Sequence, residues 1–207
     1  RALAFFEKQR IDLILGDRAT EIDRADKQVH LAGGGSVAYD HLILAVGARN
    51  RMLPGNGGDN VLYLRTLDEA EALKQRLTDA SSVAIIGGGF IGLEVAATAR
   101  KLGKTVTVIE AGPRLMARAV SPLLSEYFLN LHRAHGVDVR LNASVDAAAG
   151  ADVVVAGIGV IPNAELARAA GLETGNGIAV DEYLRTSDPA IFAIGDCADH
   201  PNRFAAN

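Results

Sequence analysis

Cysteine is nearly absent from this chain: of its 207 residues only Cys197 carries a thiol. No intrachain disulfide can form, so packing must hold the core, and a reduced, cytoplasmic setting is the expectation. No apolar run approaches the roughly 18 residues that a membrane-spanning helix needs, and the opening RALAFFEKQR lacks the layout of a secretory signal. An excess of one charge is missing as well. Acidic and basic residues are interspersed and sum to −4, without the basic stripe that nucleic acid or an anionic membrane would require. No internal repeat is detectable beyond the rhyme of the segments LAVG, AGIG and AIGD.

What is present is an α/β pattern. Hydrophobic residues make up 49% of the chain, enough core for one large domain or two small ones. Its 22 glycines suit a fold with many tight strand-to-helix turns. The pattern predicts a short helix over 3–8, a strand at IDLILG (11–16), and short antiparallel strands across 17–40 that turn at GGGS (33–36). HLILAVG (41–47) reads as a strand buried on both faces, and ARNRMLPGNGGDN (48–60) as an exposed loop and the first candidate boundary. A helix follows over 66–77, with Thr66 as N-cap and Leu67, Ala70, Leu73 and Leu77 at helical spacing. Then come a strand at SVAIIG (82–87), a helix over 88–103 and a strand at TVTVIE (105–110). A helix runs from Ser121 and Pro122 to about His135. Strands at 137–141 and 151–159, a short helix at 163–171 and a buried strand at IFAIG (191–195) complete the pattern. The chain opens inside a helix and closes on a strand followed by HPNRFAAN, as though cut from something longer.

The stretch IIGGGFIGLE carries the chemistry. Gly87, Gly89 and Gly92 fill a GxGxxG pattern. Alone that pattern is weak in a glycine-rich chain. Here it follows a β-branched strand and opens a helix, and Glu110 ends the next strand, 18 residues beyond Gly92. That is the context of a dinucleotide fingerprint. Gly87 permits the tight turn, Gly89 lets a pyrophosphate approach the backbone, and Gly92 lets the helix pack close to the strand. The N–H groups of Phe90, Ile91 and their neighbours at the helix start face the phosphates. Glu110 is expected to accept ribose hydroxyls and to repel a 2′-phosphate, which favours NAD(H) over NADP(H). Arg114 nearby offers the opposite charge. The competing reading is a bare turn in a domain that binds nothing.

Three more apolar strands end in glycine, at Gly47, Gly159 and Gly195. In a parallel sheet such ends admit a cofactor, and Asp196 after Gly195 is placed to meet a ligand hydroxyl. Equally, these glycines are strand stops and Asp196 an N-cap. Spacing alone does not choose between the two.

The stretches 39–55, 83–122, 157–172 and 181–202 resemble the FAD-dependent pyridine-nucleotide reductases, in particular the ferredoxin and rubredoxin reductases of oxygenase systems. The resemblance spans nearly the whole chain in the family's order. It implies a flavoprotein that passes a hydride from NADH to FAD, then electrons to a ferredoxin or rubredoxin iron–sulfur carrier. It assigns Gly195, Asp196 and Gly47 to FAD, the 87–110 motif to NADH, and Glu94 to the nicotinamide as the catalytic candidate. Glu94 also reads as an ordinary polar residue in the first helical turn. The implied organisation is an α/β, Rossmann-like NAD(H)-binding domain at 62–186, flanked by partial FAD-domain segments at 1–61 and 187–207 that pack on each other.

Departures from the family mark where the reading stops. Its first βαβ unit, with a second GxGxxG for FAD, has no counterpart here, nor does its C-terminal interface domain. A β-meander of the family is reduced to DAAAG between Val145 and Ala151. Rival functions follow: a stand-alone NAD(H)-binding module without flavin, or a disulfide reductase or NADH oxidase of the same fold. No metal site is expected; His132 and His135 are three apart but lack a third ligand. Arg100, Lys101 and Lys104 read as cations at a helix C-terminus, and Cys197 as an inert buried thiol.

Overall fold

The computed structural model of the protein describes residues 3–54 and 61–201. The chain starts with helix α1 (Leu3–Lys8). The segment 11–16 after it pairs with nothing described, and its Leu15 is 73% exposed. The strand expected at IDLILG is therefore absent, because alternating apolar residues become a strand only against a partner strand. Next, β1 (Ala19–Asp23), β2 (Gln28–Leu31) and β3 (Ser36–Ala38) form an antiparallel meander. Its second turn runs through Gly34 at φ +90°, as the GGGS stretch predicts. β4 (Leu42–Leu44) then meets a single neighbour among the described residues, 191–193, in parallel register. Leu44 is buried but Ile43 is 59% exposed, so this strand is covered on one face only, not on both.

Two compact units share the chain, Arg49–Ile161 and Arg1–Ala48 with Pro162–Asn207, and the backbone crosses between them in β5 (Ala48–Asn50) and again near Pro162. Part of the loop expected over 48–60, residues 55–60, lies outside the described residues. The first unit is built from β6 (Val61–Leu62), α2 (Leu67–Asp79), β7 (Ser82–Ile86), α3 (Phe90–Lys101), β8 (Thr105–Ile109), α4 (Pro122–Ala134), β9 (Val137–Arg140) and β10 (Val153–Ala156). The strands make one sheet in the order β6-β10-β7-β8-β9, every pair parallel.

The near-continuous apolar runs are explained by burial of both sheet faces. On one side Val83, Ile85, Val106 and Val108 pack with Leu73 and Leu77 of α2 and with Leu93, Ala96 and Ala99 of α3. On the other, Ala84, Ile86, Ile109 and Ala156 pack with Leu53, Tyr63 and Ala148. Each fully buried valine or isoleucine contributes on the order of 1.5–3 kcal/mol. Helix α2 starts on a capping box: the Thr66 hydroxyl accepts the Glu69 N–H while the Glu69 carboxylate accepts the N–H of Thr66 at 2.8 Å. The shortened DAAAG region forms one 3-10 turn over Val145–Ala148.

Beyond β11 (Val160–Pro162), the chain adds α5 (Glu165–Ala169), β12 (Ile178–Ala179), β13 (Ile191–Ala193) and β14 (Ala198–Asp199). Ala164, Ala167, Leu172 and Ile178 share a buried cluster with Ile22, Leu44, Ile191 and Cys197. The first compact unit thus ends at Ile161 rather than at 186, because 163–186 carries apolar side chains that belong to the other core. No helix among the described residues is long and apolar enough to cross a membrane.

Candidate functional site

Ile86 of β7 is in register with Ile109 of β8 on one side and Ala156 of β10 on the other. Gly87, Glu110 and Gly157 therefore leave the sheet side by side at its carboxyl edge. From β7 the chain steps outward to β8 and β9 and then returns to the opposite side at β10. Such a reversal opens a crevice at the strand ends, where open α/β sheets take their ligands.

The three fingerprint glycines are glycines for different reasons. Gly87 sits at φ +109°, and a Cβ there would run into the Gly157 carbonyl oxygen. A Cβ on Gly92 would run into the Gly87 carbonyl oxygen and crowd Ile85 Cγ2 at 3.2 Å. Both are demanded by the protein's own packing. Gly89 is not. Its φ is −85°, and a Cβ built there meets nothing within 4 Å. Neither backbone strain nor packing requires glycine at 89, and the space beside it lies open.

Gly89 is also the N-cap of α3 and brings no side chain to cap it. The first-turn N–H groups thus keep their hydrogen-bonding capacity at the positive end of the helix dipole. Phe90 and Ile91 flank them, with Phe90 55% exposed. Glu110 lies half-buried beside the loop. Its Oε2 accepts the Gly88 N–H at 2.8 Å and its Oε1 the Gly112 N–H at 2.7 Å. Each carboxylate oxygen has a second lone pair for a further donor. Glu94 is exposed on the second turn of α3, whose first turn holds no acid, so the first-turn placement is corrected. Among the described residues it has no hydrogen-bond partner. Arg114 is committed elsewhere: Nη1 donates to Val120 O at 2.9 Å and Ser125 Oγ at 2.8 Å, and Nη2 to Ala117 O at 2.6 Å. It clamps the loop after β8 onto the start of α4.

The sequence model for pyridine nucleotide-disulphide oxidoreductase matches residues 3–206. The chain belongs to that family. Rhodocoxin reductase of Rhodococcus erythropolis is 50% identical over 220 residues, covering 97% of this chain and 52% of its own length. The solved ferredoxin reductase for the CYP199A2 system of Rhodopseudomonas palustris superposes at TM-score 0.89 with 48% identity, over 97% of this chain and 54% of that one. Putidaredoxin reductase, solved in covalent complex with putidaredoxin, gives TM-score 0.89 and 40% identity over 98% of this chain and 54% of its own. The chain spans about half the length of the curated relatives it matches. The alignment with rhodocoxin reductase, at 220 positions, exceeds the 207 residues here, so that relative carries residues with no counterpart in this chain.

Within this family member the second unit has its own set of strand ends. Leu44 of β4 is in register with Ala193 of β13, so Gly47 and Gly195 follow at one edge, at φ +63° and +71°. Both glycines are conformational requirements, and a Cβ on Gly195 would meet open space. Asn163 fixes the first turn, its backbone N–H donating to Gly47 O and its Nδ2 to Val46 O, both at 2.9 Å. Asp196 is exposed in a short 3-10 turn whose N-cap is Ile194, so it is not a capping residue. The buried Cys197 thiol donates to Leu44 O at 3.3 Å and Ile194 O at 3.2 Å, a tie within the fold. In the first unit, Gly159 after β10 holds φ +108°, is open at its Cβ position, and accepts the Arg51 N–H at 3.0 Å.

Gly88, Gly112 and Gly157 were not expected from the sequence. Gly88 is buried, with the Leu115 side chain where its Cβ would stand, and a Cβ on Gly157 would touch Gly92 N at 3.7 Å. The run of three glycines at 87–89 was the available signal, since the fingerprint itself explains only two of them.

Proposed function

We propose that this chain is the NADH-holding part of a flavoprotein that passes a hydride from NADH to FAD and electrons onward to a ferredoxin- or rubredoxin-type carrier. The observation that carries the reading is Gly89, a glycine that the protein's own geometry does not need, at the uncapped start of α3. A pyrophosphate fits that opening: it lies against the backbone and accepts the N–H groups of Phe90, Ile91 and Gly92. Glu110 accepts two ribose hydroxyls with its remaining lone pairs and disfavours a 2′-phosphate by like charge, which selects NADH. Gly159 leaves room at the mouth of the crevice. Arg114 serves the nucleotide indirectly, by holding the loop that carries Gly112. Glu94, exposed and unengaged, is assigned to the nicotinamide end.

FAD is assigned to Gly47, Gly195 and Asp196, and its isoalloxazine supplies the step between two-electron and one-electron chemistry. The names of the relatives support the carrier, since they include reductases of rhodocoxin and putidaredoxin. We place the protein in the cytoplasm, in keeping with a single buried thiol among its residues.

Calorimetric titration of the full chain with NADH and NADPH tests the reading, with Gly89→Ala and Glu110→Ala alongside. NADH binds more tightly than NADPH, Gly89→Ala weakens NADH without lowering thermal stability, and Glu110→Ala narrows the preference between the two. Equal NADH affinity in Gly89→Ala and wild type would refute the assignment of that opening. A flavin absorbance band in the purified protein separates the flavoprotein from a module that binds NAD(H) alone.

A further inference from the structure

The C-terminal half of α3, the end of α4 and the start of β9 enclose a pocket of ≈ 360 Å³ that the nucleotide loop does not use. Small-molecule sites span roughly 300–1,000 Å³, so this one admits a compact organic molecule. Its floor is apolar, formed by Ala97, Leu131 and Val137; its rim carries Arg100, Lys101, His132 and His135.

The rim chemistry is one-sided. Arg100 is held in place by donating Nε to His135 O at 3.1 Å and Nη1 to Lys104 O, which leaves Nη2 hydrogens available. Neither Lys101 nor the His132 ring has a hydrogen-bond partner among the described residues. Burial, then the neighbouring His135, holds the His132 imidazole below the usual histidine range. The permanent positive charges of the lining are those of Arg100 and Lys101. Among the described residues no acidic side chain lines the pocket, and Asp138, next to Val137, is paired with Arg140 at 2.8 Å.

We propose that this pocket binds a small organic carboxylate, its hydrocarbon body against Ala97, Leu131 and Val137 and its carboxylate on Arg100 and Lys101. Apolar floor and cationic rim each match one half of such an amphipathic anion, and a neutral ligand would leave the two cations unanswered. With a rise of about 1.5 Å per residue, Lys101 lies roughly 16 Å along α3 from Phe90. The carboxylate and NADH accordingly bind without competing.

Calorimetric titration of the full chain with octanoate, and with 1-octanol as its uncharged counterpart, tests this. Octanoate binds one to one, at least about tenfold more tightly than octanol, and equally well with NADH saturating. Lys101→Glu and the milder Lys101→Gln both keep NADH binding, which shows that they fold, and Lys101→Glu weakens octanoate by about tenfold or more. Absence of octanoate binding, octanol binding equally well, unchanged affinity in Lys101→Glu, or displacement of octanoate by NADH would each overturn the proposal.

Discussion

At the residue scale, the charged groups that matter to the fold are those tied to backbone. Arg24, in the turn between β1 and β2, donates Nε to Asp188 Oδ2 at 2.8 Å, while Asp188 Oδ1 accepts the Ala190 N–H at 3.0 Å. These contacts, the Arg24 hydrogen bond first, hold the Asp188 carboxyl below the usual carboxylate range. A carboxylate with a depressed folded-state pKa contributes stability that is fully present above its unfolded value, about 3.9. That contribution is lost as pH falls from there through the folded-state value. Urea unfolding of wild type and Asp188→Asn at a series of pH values should show wild type more stable at pH 7 and the gap closing below about pH 4. Two parallel curves across that range would mean that the Arg24–Asp188 pair is not linked to protons.

At the scale of elements, the fit between α3 and β7 rests on Gly92 as much as on any apolar side chain. A Cβ at that position points into the Gly87 carbonyl and toward Ile85. Gly92→Ala should therefore lower unfolding stability by about 1–3 kcal/mol, the usual range for overpacking a tight contact. Gly89→Ala, with open space around it, should leave stability unchanged. Chemical denaturation of both variants makes the comparison; equal stability would mean that α3 shifts off the strand at little cost. This contrast also marks what was legible beforehand. The βαβ pattern with Glu110 at its far end was readable because period and spacing are local properties. IDLILG was misread because pairing is not local: its apolar residues find no partner strand among the described residues. The commitments of Arg114 were invisible for the same reason, since a sequence shows a charge but not the carbonyls that surround it. Ile43 was expected to be buried because an apolar run does not reveal how many neighbours its strand will have.

At the scale of the whole molecule, each unit closes its own core. The sheet of β6 to β10 buries Val83, Ile85, Val106, Val108, Val153 and Val155 within Arg49–Ile161, while Ile22, Leu44, Ile178, Ile191 and Cys197 form the cluster of the other unit. The proposed nucleotide loop belongs entirely to the first. A ligand stabilises the openings that destroy its site, by about 2.7 kcal/mol when present at a hundred times its dissociation constant, and leaves untouched those that do not. NADH should therefore slow amide hydrogen exchange in 83–92 and 105–112, through the strands and turns that carry Gly87, Gly89 and Glu110. The amides of β12 and β13 should exchange at the same rate with and without it. Exchange followed by mass spectrometry on peptides from the two regions decides the matter. Slowing confined to the first region places the site in that core. Equal slowing in both would mean that the two cores open as one cooperative body, and the ligand then reports on the whole chain rather than on the unit that holds it.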